Sequence, residues 1–425
     1  MRKIAPCFVL IGLLGLSGPA CAVIGTADVV PAATLLLPYF EVDAMKGMQV
    51  NTFFSINNAS TSAVLAHVTV WSDQSIPVLD FDVYLTGYDV QTINLNEVLV
   101  WGQLPRTASV GQDPSGAALG AGISPRGPLS QDINFASCTG TLPYGDPALN
   151  AAFRAHLAAV LQGNPSPTFG TCYGSKTKDG ILRGYVTVDT VNACNVLFPS
   201  QLATGYDAVL TDQNVLWGDY FYVNDSENFA QGDTLVHIES CPTCFAPGDH
   251  TFYGRYAAGT AIDAREPLPT TMAARYVNGG GFTGGTSFAV WREGGDQTSA
   301  VSYNCALQGP AQWYPLSSTQ IVIFDETEQV FTAENCPSGF DCGIDIVIPN
   351  EAQRLGVGDV RSDIPTPFNF GWIYLNLQWG PLPAYGDNFA QMWLSTIMDA
   401  SGRFSVGFAG VQLDNANAPI TSLIP

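Results

Sequence analysis

From Ala63 to Trp71 the side chains alternate, with Val64, Ala66, Val68 and Val70 on one face and Leu65, His67, Thr69 and Trp71 on the other. A period of two is that of a β-strand, since a helix would spread both sets around its surface. The same reading applies to short runs at roughly ten-residue spacing. Thr34–Leu37 is apolar and is expected to stop at Pro38; Asn51–Ile56, Asp80–Leu85 and Val90–Leu95 follow. Asn57-Asn58-Ala59-Ser60 and the segment around Gly87 supply turn chemistry between them.

Strand patterns resume at Gly184–Val188, Val215–Val223, Thr234–Ile238, Thr286–Trp291, Gln320–Phe324, Gly371–Trp379, Gln391–Met398 and Phe404–Leu413. Gly102–Leu142, rich in Gly, Pro, Ser and Ala, reads as a long loop. One helix is expected over 147–162. Asp146 is its N-cap, Pro147 its first residue, Leu149, Phe153, His156, Leu157 and Val160 its apolar stripe, and Gly163-Asn164-Pro165 its stop. The fold class is therefore mainly β: an antiparallel β-sandwich, as two immunoglobulin-like halves or one large sandwich, with one short helix and a disulfide-bearing loop insertion. The expected division is a leader over 1–22, an N-terminal β-sandwich part over 23–101, a loop-rich insertion over 102–200 and a C-terminal β-rich part over 201–425. Thr286–Trp291 echoes Thr52–Trp71 as an aromatic-rich strand, a likeness of pattern without a period.

The leader fixes the compartment. Arg2 and Lys3 precede an apolar run, Phe8–Leu16, too short to span a bilayer, and Ala20-Cys21-Ala22 fits a small-x-small cleavage site. Gly18 stands where a lipobox carries a branched apolar residue, so cleavage is expected ahead of lipidation at Cys21. Of ten cysteines, Cys7 and Cys21 lie in the leader. The others are Cys138, Cys172, Cys194, Cys241, Cys244, Cys305, Cys336 and Cys342, an even set that reads as disulfides in an oxidising compartment. Cys138–Cys172 is the expected pair, because a helix between them returns its flanks to one place. The spacing of Cys241/Cys244 and Cys336/Cys342 is too wide for a zinc ribbon.

The 425 residues carry a net charge of −21, with lysine nearly absent and no basic cluster. Nucleic acid and anionic membranes are excluded as partners on that ground. No apolar run after the leader is long enough to span a membrane.

Ala33–Asp43, Leu85–Leu95, Asn214–Tyr220 and Leu235–Glu239 resemble segments of an uncharacterised group of exported, β-rich bacterial proteins. The resemblance implies a Gram-negative source and little else; the periplasmic or extracellular location is expected from the leader. The resemblance implies no activity, and no functional residue is carried over from it.

Three constellations are candidates for chemistry. Asp80 and Asp82, two apart on a strand, project from one face in the manner of paired carboxylates or a calcium site; with Asp219 and Glu239 they are the acids available to a glycoside hydrolase. A solvated strand face is the plainer expectation for Asp80 and Asp82. His237 and Glu239 share a strand face, with His250 near in sequence, as a candidate zinc set; hydrogen-bonded surface histidines are the plainer expectation. Trp372 and Tyr374 share one face of a strand and Tyr385 follows, an arrangement that stacks on sugar rings or fills a core. No Gly-x-Ser-x-Gly elbow and no phosphate loop occur, and Gly279–Gly285 reads as a tight joint. The expected function is a non-catalytic exported structural or binding module of the envelope or extracellular space, without a cofactor beyond structural calcium or zinc. Its expected partner is a glycan or another envelope protein. A secreted polysaccharide hydrolase is the alternative.

Overall fold

The computed structural model describes residues 29–44, 49–105, 133–138, 148–176, 179–246, 249–256, 263–293, 305, 320–331, 348, 350–359, 361–377, 390–403 and 405–415. The protein is mainly β, and its strands form four five-stranded sheets in which almost every pairing is antiparallel. The first ten strands are β1 (Thr34–Asp43), β2 (Val50–Asn58), β3 (Val64–Ser72), β4 (Pro77–Leu85) and β5 (Val90–Asn94), then, past the helix α1 (Ala151–Val160), β6 (Ile181–Val191), β7 (Leu216–Trp217), β8 (Asp219–Asn224), β9 (Phe229–Thr234) and β10 (Val236–Ile238). They form one sheet of order β10-β1-β6-β3-β4 and another of order β5-β2-β8-β9, with β7 on β2. Leu35, Leu37, Val68, Val70, Val186 and Val188 line the apolar face of the first and join Phe54 and Ile56 of the second in one core.

The next ten are β11 (Pro269–Val277), β12 (Gly285–Arg292), β13 (Ile321–Asp325), β14 (Val330–Phe331), β15 (Ala352–Gly358), β16 (Ile364–Pro365), β17 (Phe370–Asn376), β18 (Met392–Asp399), β19 (Ser405–Ala409) and β20 (Val411–Asn415). Their sheets have the orders β14-β13-β17-β11-β20 and β16-β15-β12-β18-β19. Read from the other edge, β20-β11-β17-β13-β14 matches β10-β1-β6-β3-β4 strand for strand, and β15-β12-β18-β19 matches β5-β2-β8-β9. β7, on β2, and β16, on β15, are the unmatched additions.

The match extends to atoms. In the β3–β4 turn, Ser72 N donates to Ile76 O (2.9 Å) and Ser75 N to Ser72 O (3.1 Å); in the β13–β14 turn, Asp325 N donates to Gln329 O (3.1 Å) and Glu328 N to Asp325 O (3.2 Å). Ser72 Oγ accepts from Gln74 N and Ile76 N, as Asp325 Oδ1 accepts from Thr327 N and Gln329 N. Ser75 (φ 57°) and Glu328 (φ 64°) are the left-handed residues of the two turns. Beside each turn a glycine meets a carbonyl: a Cβ on Gly184 of β6 would collide with Trp71 O, and one on Gly371 of β17 with Phe324 O.

Several expectations are corrected. β1 runs through Pro38 to Asp43, because a bulge between Leu37 and Phe40 takes the proline out of the ladder. The helix starts at Ala151 with Asn150 as N-cap, its Oδ1 accepting from Phe153 N at 2.9 Å; Ala148 is held in a bridge to Gln103, and Asp146 and Pro147 lie outside the described residues. β11 and β15 were not legible as strands. The expected divide after residue 200 cuts across hydrogen bonding, since β8 and β9 belong to the sheet of β2, and β10 to that of β1.

Cys138 pairs with Cys194, and Cys172 with Cys305, in place of the expected Cys138–Cys172 bond. Cys241 pairs with Cys244, and Cys336 and Cys342 lie outside the described residues. Separations of 56 and 133 residues give the first two bonds about 4 and about 5 kcal/mol in the chain-entropy description, against about 2 for a separation of 3.

The matched glycines supply a test. Gly184→Ala and Gly371→Ala are each expected to lower the unfolding free energy by roughly 2–4 kcal/mol, since the new methyl meets backbone. Urea denaturation reads the cost, and an unchanged midpoint would show that the strands slide apart freely.

Candidate functional site

β17 lies between β11 and β13, and the register aligns one row of side chains across the sheet. Arg275 of β11 is opposite Trp372, Trp372 is opposite Phe324 of β13, and Phe324 is opposite Val330 of β14. In the next row Val411, Ala273, Tyr374 and Val322 align in the same way. The Arg275 guanidinium sits 4.8 Å from the centre of the Trp372 ring, and the Phe324 and Tyr374 rings meet edge to face at 5.5 Å. Ile373 and Leu375, on the other face of β17, are fully buried, so among the described residues the strand is sealed on that side only. Trp372, Tyr374 and Phe324 are half-buried, Arg275 is exposed, and Val411 and Phe370 are 53% and 46% exposed. This is a rigid aromatic surface with a fixed cation at one end. Trp372 and Tyr374 share it as the alternation predicts, and Tyr385 lies outside the described residues. Arg275 and Phe324 were missed, because nothing in a single strand's pattern says which residue lies opposite.

The acids go elsewhere. Asp82 is buried against His67, with Oδ1 2.9 Å from Nδ1, while Nε2 lies 2.9 Å from Leu197 O. Both ring nitrogens face acceptors, so the imidazole is held as a cation. Burial pulls its pKa down, but the hydrogen bond and charge of Asp82, with Asp80 and Asp189 behind it, raise it overall. The pair belongs to the interior of the fold, not to a solvated strand face. Asp80 is only half-buried, and burial with the neighbouring Asp82 charge pushes it up to about 6. Asp219, on a different sheet, accepts from Ser55 Oγ at 2.6 Å. Glu239 follows β10, and its N–H donates to Glu266 Oε1 at 3.3 Å. The structure thus brings Asp80 and Asp82 together and leaves Asp219 and Glu239 apart from them.

The histidine set does not assemble either. His237 is buried, with Nδ1 2.8 Å from Val30 O and Nε2 3.3 Å from Gly218 N, so it is an interior group and not a surface one. Among the described residues no three His, Cys, Asp or Glu side chains are grouped to hold a metal ion.

Ionisable groups concentrate instead on the outer face of the β1/β6/β3 sheet. Asp189 of β6 accepts from Thr34 Oγ1 (2.5 Å), Tyr206 OH (2.6 Å) and Tyr253 OH (2.9 Å), and Arg265 Nε stands 3.5 Å from it. Further along, Trp71 and Tyr185 stack at 5.5 Å, and Trp291 of β12 meets Tyr185 edge to face at 6.0 Å. Arg255 Nη1 reaches Glu351 Oε1 at 2.5 Å, and Glu351 N donates to Asp73 O at 2.8 Å. Burial raises Asp73 and Glu293 to about 7 and Asp263 to about 6.

No protein family, no curated protein and no solved structure matches the chain.

The raised carboxyls set a pH dependence. Asp73 and Glu293 at about 7, and Asp80 and Asp263 at about 6, hold protons in the folded chain that they release on unfolding above roughly pH 4. Stability therefore rises as the pH falls from about 7 towards 4, and His67 adds to the trend. His156 and His237, lowered by burial, oppose it. The melting temperature is expected to be higher near pH 5.5 than near pH 7.5, with the gap narrowed in Asp73→Asn. A flat or inverted profile measured by calorimetry would mean that these carboxyls are ionised in the fold.

Proposed function

We propose that the protein is an exported, non-catalytic structural or binding module whose working surface is the outer face of the β14-β13-β17-β11-β20 sheet. The observation that carries this reading is the row Arg275–Trp372–Phe324–Val330, an aromatic surface ordered by backbone register and, among the described residues, sealed only from behind. Rigid aromatics beside a guanidinium bind with little loss of side-chain entropy. Three intramolecular disulfides among the described residues, two of them closing long loops, suit an oxidising compartment outside the cytoplasm. Among the described residues no helix is long and apolar enough to cross a membrane.

The hydrolase alternative asks two carboxyls to work as acid and base. Asp80, raised to about 6, would serve as the acid, but its neighbour Asp82 is committed to His67. Incubating the mature, oxidised chain with a panel of polysaccharides is expected to release no reducing sugar. Release that disappears in Asp80→Asn, with the circular dichroism spectrum unchanged, would replace the module reading with the hydrolase.

A further inference from the structure

The two matching sets of strands are not equally covered. In the first set, the outer face of the β1/β6/β3 sheet carries Trp71 and Tyr185, which are buried. Part of their cover is β12, through Trp291. The contact continues to Arg354 of β15, 3.5 Å from Glu41 of β1. Trp291, Ala289 and Arg354 lie on one face of the β15-β12-β18-β19 sheet, since Ala289 pairs with Arg354. Thr286 and Arg292 lie on the opposite face and bond to Val277 and to Leu377 beside the β11/β17 sheet. Within one molecule, then, the outer face of a β2-type sheet seats on the outer face of a β1-type sheet. The β3–β4 turn is buried in the same joint, with Asp73 O accepting from Glu351 N and Ala352 N.

Each half of this joint has an open counterpart. By strand match, Trp71 and Tyr185 correspond to Phe324 and Trp372, and Gly184 to Gly371. Among the described residues nothing seals their face, on which Phe324 and Trp372 are half-buried, and the matching turn, Asp325–Gln329, is exposed at residues 326–329. The counterpart of the β12 face is the outer face of the β5-β2-β8-β9 sheet. There Phe53 is opposite Phe221, whose ring lies over Gly232, and Asn57 is opposite Val90. Phe221 is 49% and Val90 59% exposed. The two open faces are therefore complementary by the same rule that joins the covered ones. Their charges also suit: Arg275 stands on one and Asp219 on the other.

We propose that the occupant of the Trp372 face is a second copy of this chain, seated through the outer face of its own β5-β2-β8-β9 sheet. The contact is heterologous, so it leaves one face of each kind free at the ends and continues into a head-to-tail chain of molecules. The inference rests on the reading of the Trp372 face as the working surface. A net charge of −21 opposes assembly, so salt is expected to strengthen it.

Sedimentation velocity on the mature, oxidised chain, from about 1 to about 200 µM, tests it. The mass is expected to climb with concentration past two copies, and further when salt is raised from about 0.05 to about 0.5 M. Arg275→Glu damages one face and Phe221→Asp the other; both are exposed substitutions, checked for folding by circular dichroism. Each variant alone is expected to stay monomeric, while their equimolar mixture forms a 1:1 dimer that grows no further, each supplying the face the other has lost. A wild type that stays monomeric, a dimer that stops at two and survives either substitution, or a mixture that stays monomeric would overturn the proposal. A monomer that releases no sugar leaves the module reading in place. Sugar release lost in Asp80→Asn would overturn both.

Discussion

The first two sheets depend on one late strand. β6 lies between β1 and β3, so neither of those early strands has its neighbour until the chain has returned from α1. Asp189 near its end pairs with Thr34 on one side and His67 on the other, and carries three hydroxyl hydrogen bonds beside Arg265. A carboxylate at zero exposure is tolerable only when it is surrounded in this way, and removing one partner leaves a buried charge without compensation. The Cys138–Cys194 bond fixes the segment just beyond β6 and narrows the search for this pairing. Arg265 and Tyr253 belong to the connection between the two sets of strands, so the same cluster that completes β6 also anchors the start of the second set.

From that anchor comes the asymmetry between the matched sheets. Trp71 and Tyr185 face the connection and β12, and are buried; Phe324 and Trp372 occupy the same places and are only half-buried. The surrounding chemistry follows the burial. Around Trp71 lie Arg255 and Glu351, charges that persist only because they compensate one another away from water, with the carboxyl of Glu293 raised by burial beside them. Around Trp372 the cation Arg275 lies over the ring and remains exposed. One topology thus supports an interior joint and an exterior surface, distinguished by what the chain lays over each.

Strands with a clean period of two were legible, and β2, β3, β5 and β13 fall close to where alternation sets them. β11 was not, because Pro269-Thr270-Thr271-Met272-Ala273-Ala274 lacks the branched and aromatic residues that mark a strand, and its pairing with β17 overrides that weakness. Pro38 misled for the opposite reason: a bulge absorbs the residue that a regular ladder rejects. The echo of Thr52–Trp71 in Thr286–Trp291 was visible but short of a repeat. The two sets of strands keep order and register while the loops between them differ widely in length, so no fixed spacing survives in the sequence. At the site, Trp372 and Tyr374 came from one strand's alternation. Arg275 and Phe324 required cross-strand register, which sequence pattern does not carry.

Charge limits where this molecule can make contacts. Only 12% of residues are charged, yet they sum to −21, so most of the surface repels a second copy or any acidic partner. The positive side chains are too few to offset this; Arg265 and Arg292 are spent in the interior, and Arg255 on Glu351. On the Trp372 face and the Phe221 face, register sets aromatic side chains opposite one another over neighbouring strands, with the carboxylate of Asp219 on the second. Contact at either one removes apolar area from water while bringing few like charges close. Elsewhere, approach costs electrostatic work that the thin supply of lysine and arginine does not return. Acidity and low charge density thus act together: the first keeps molecules apart in general, and the second suits these two sheet faces to the contact proposed for them.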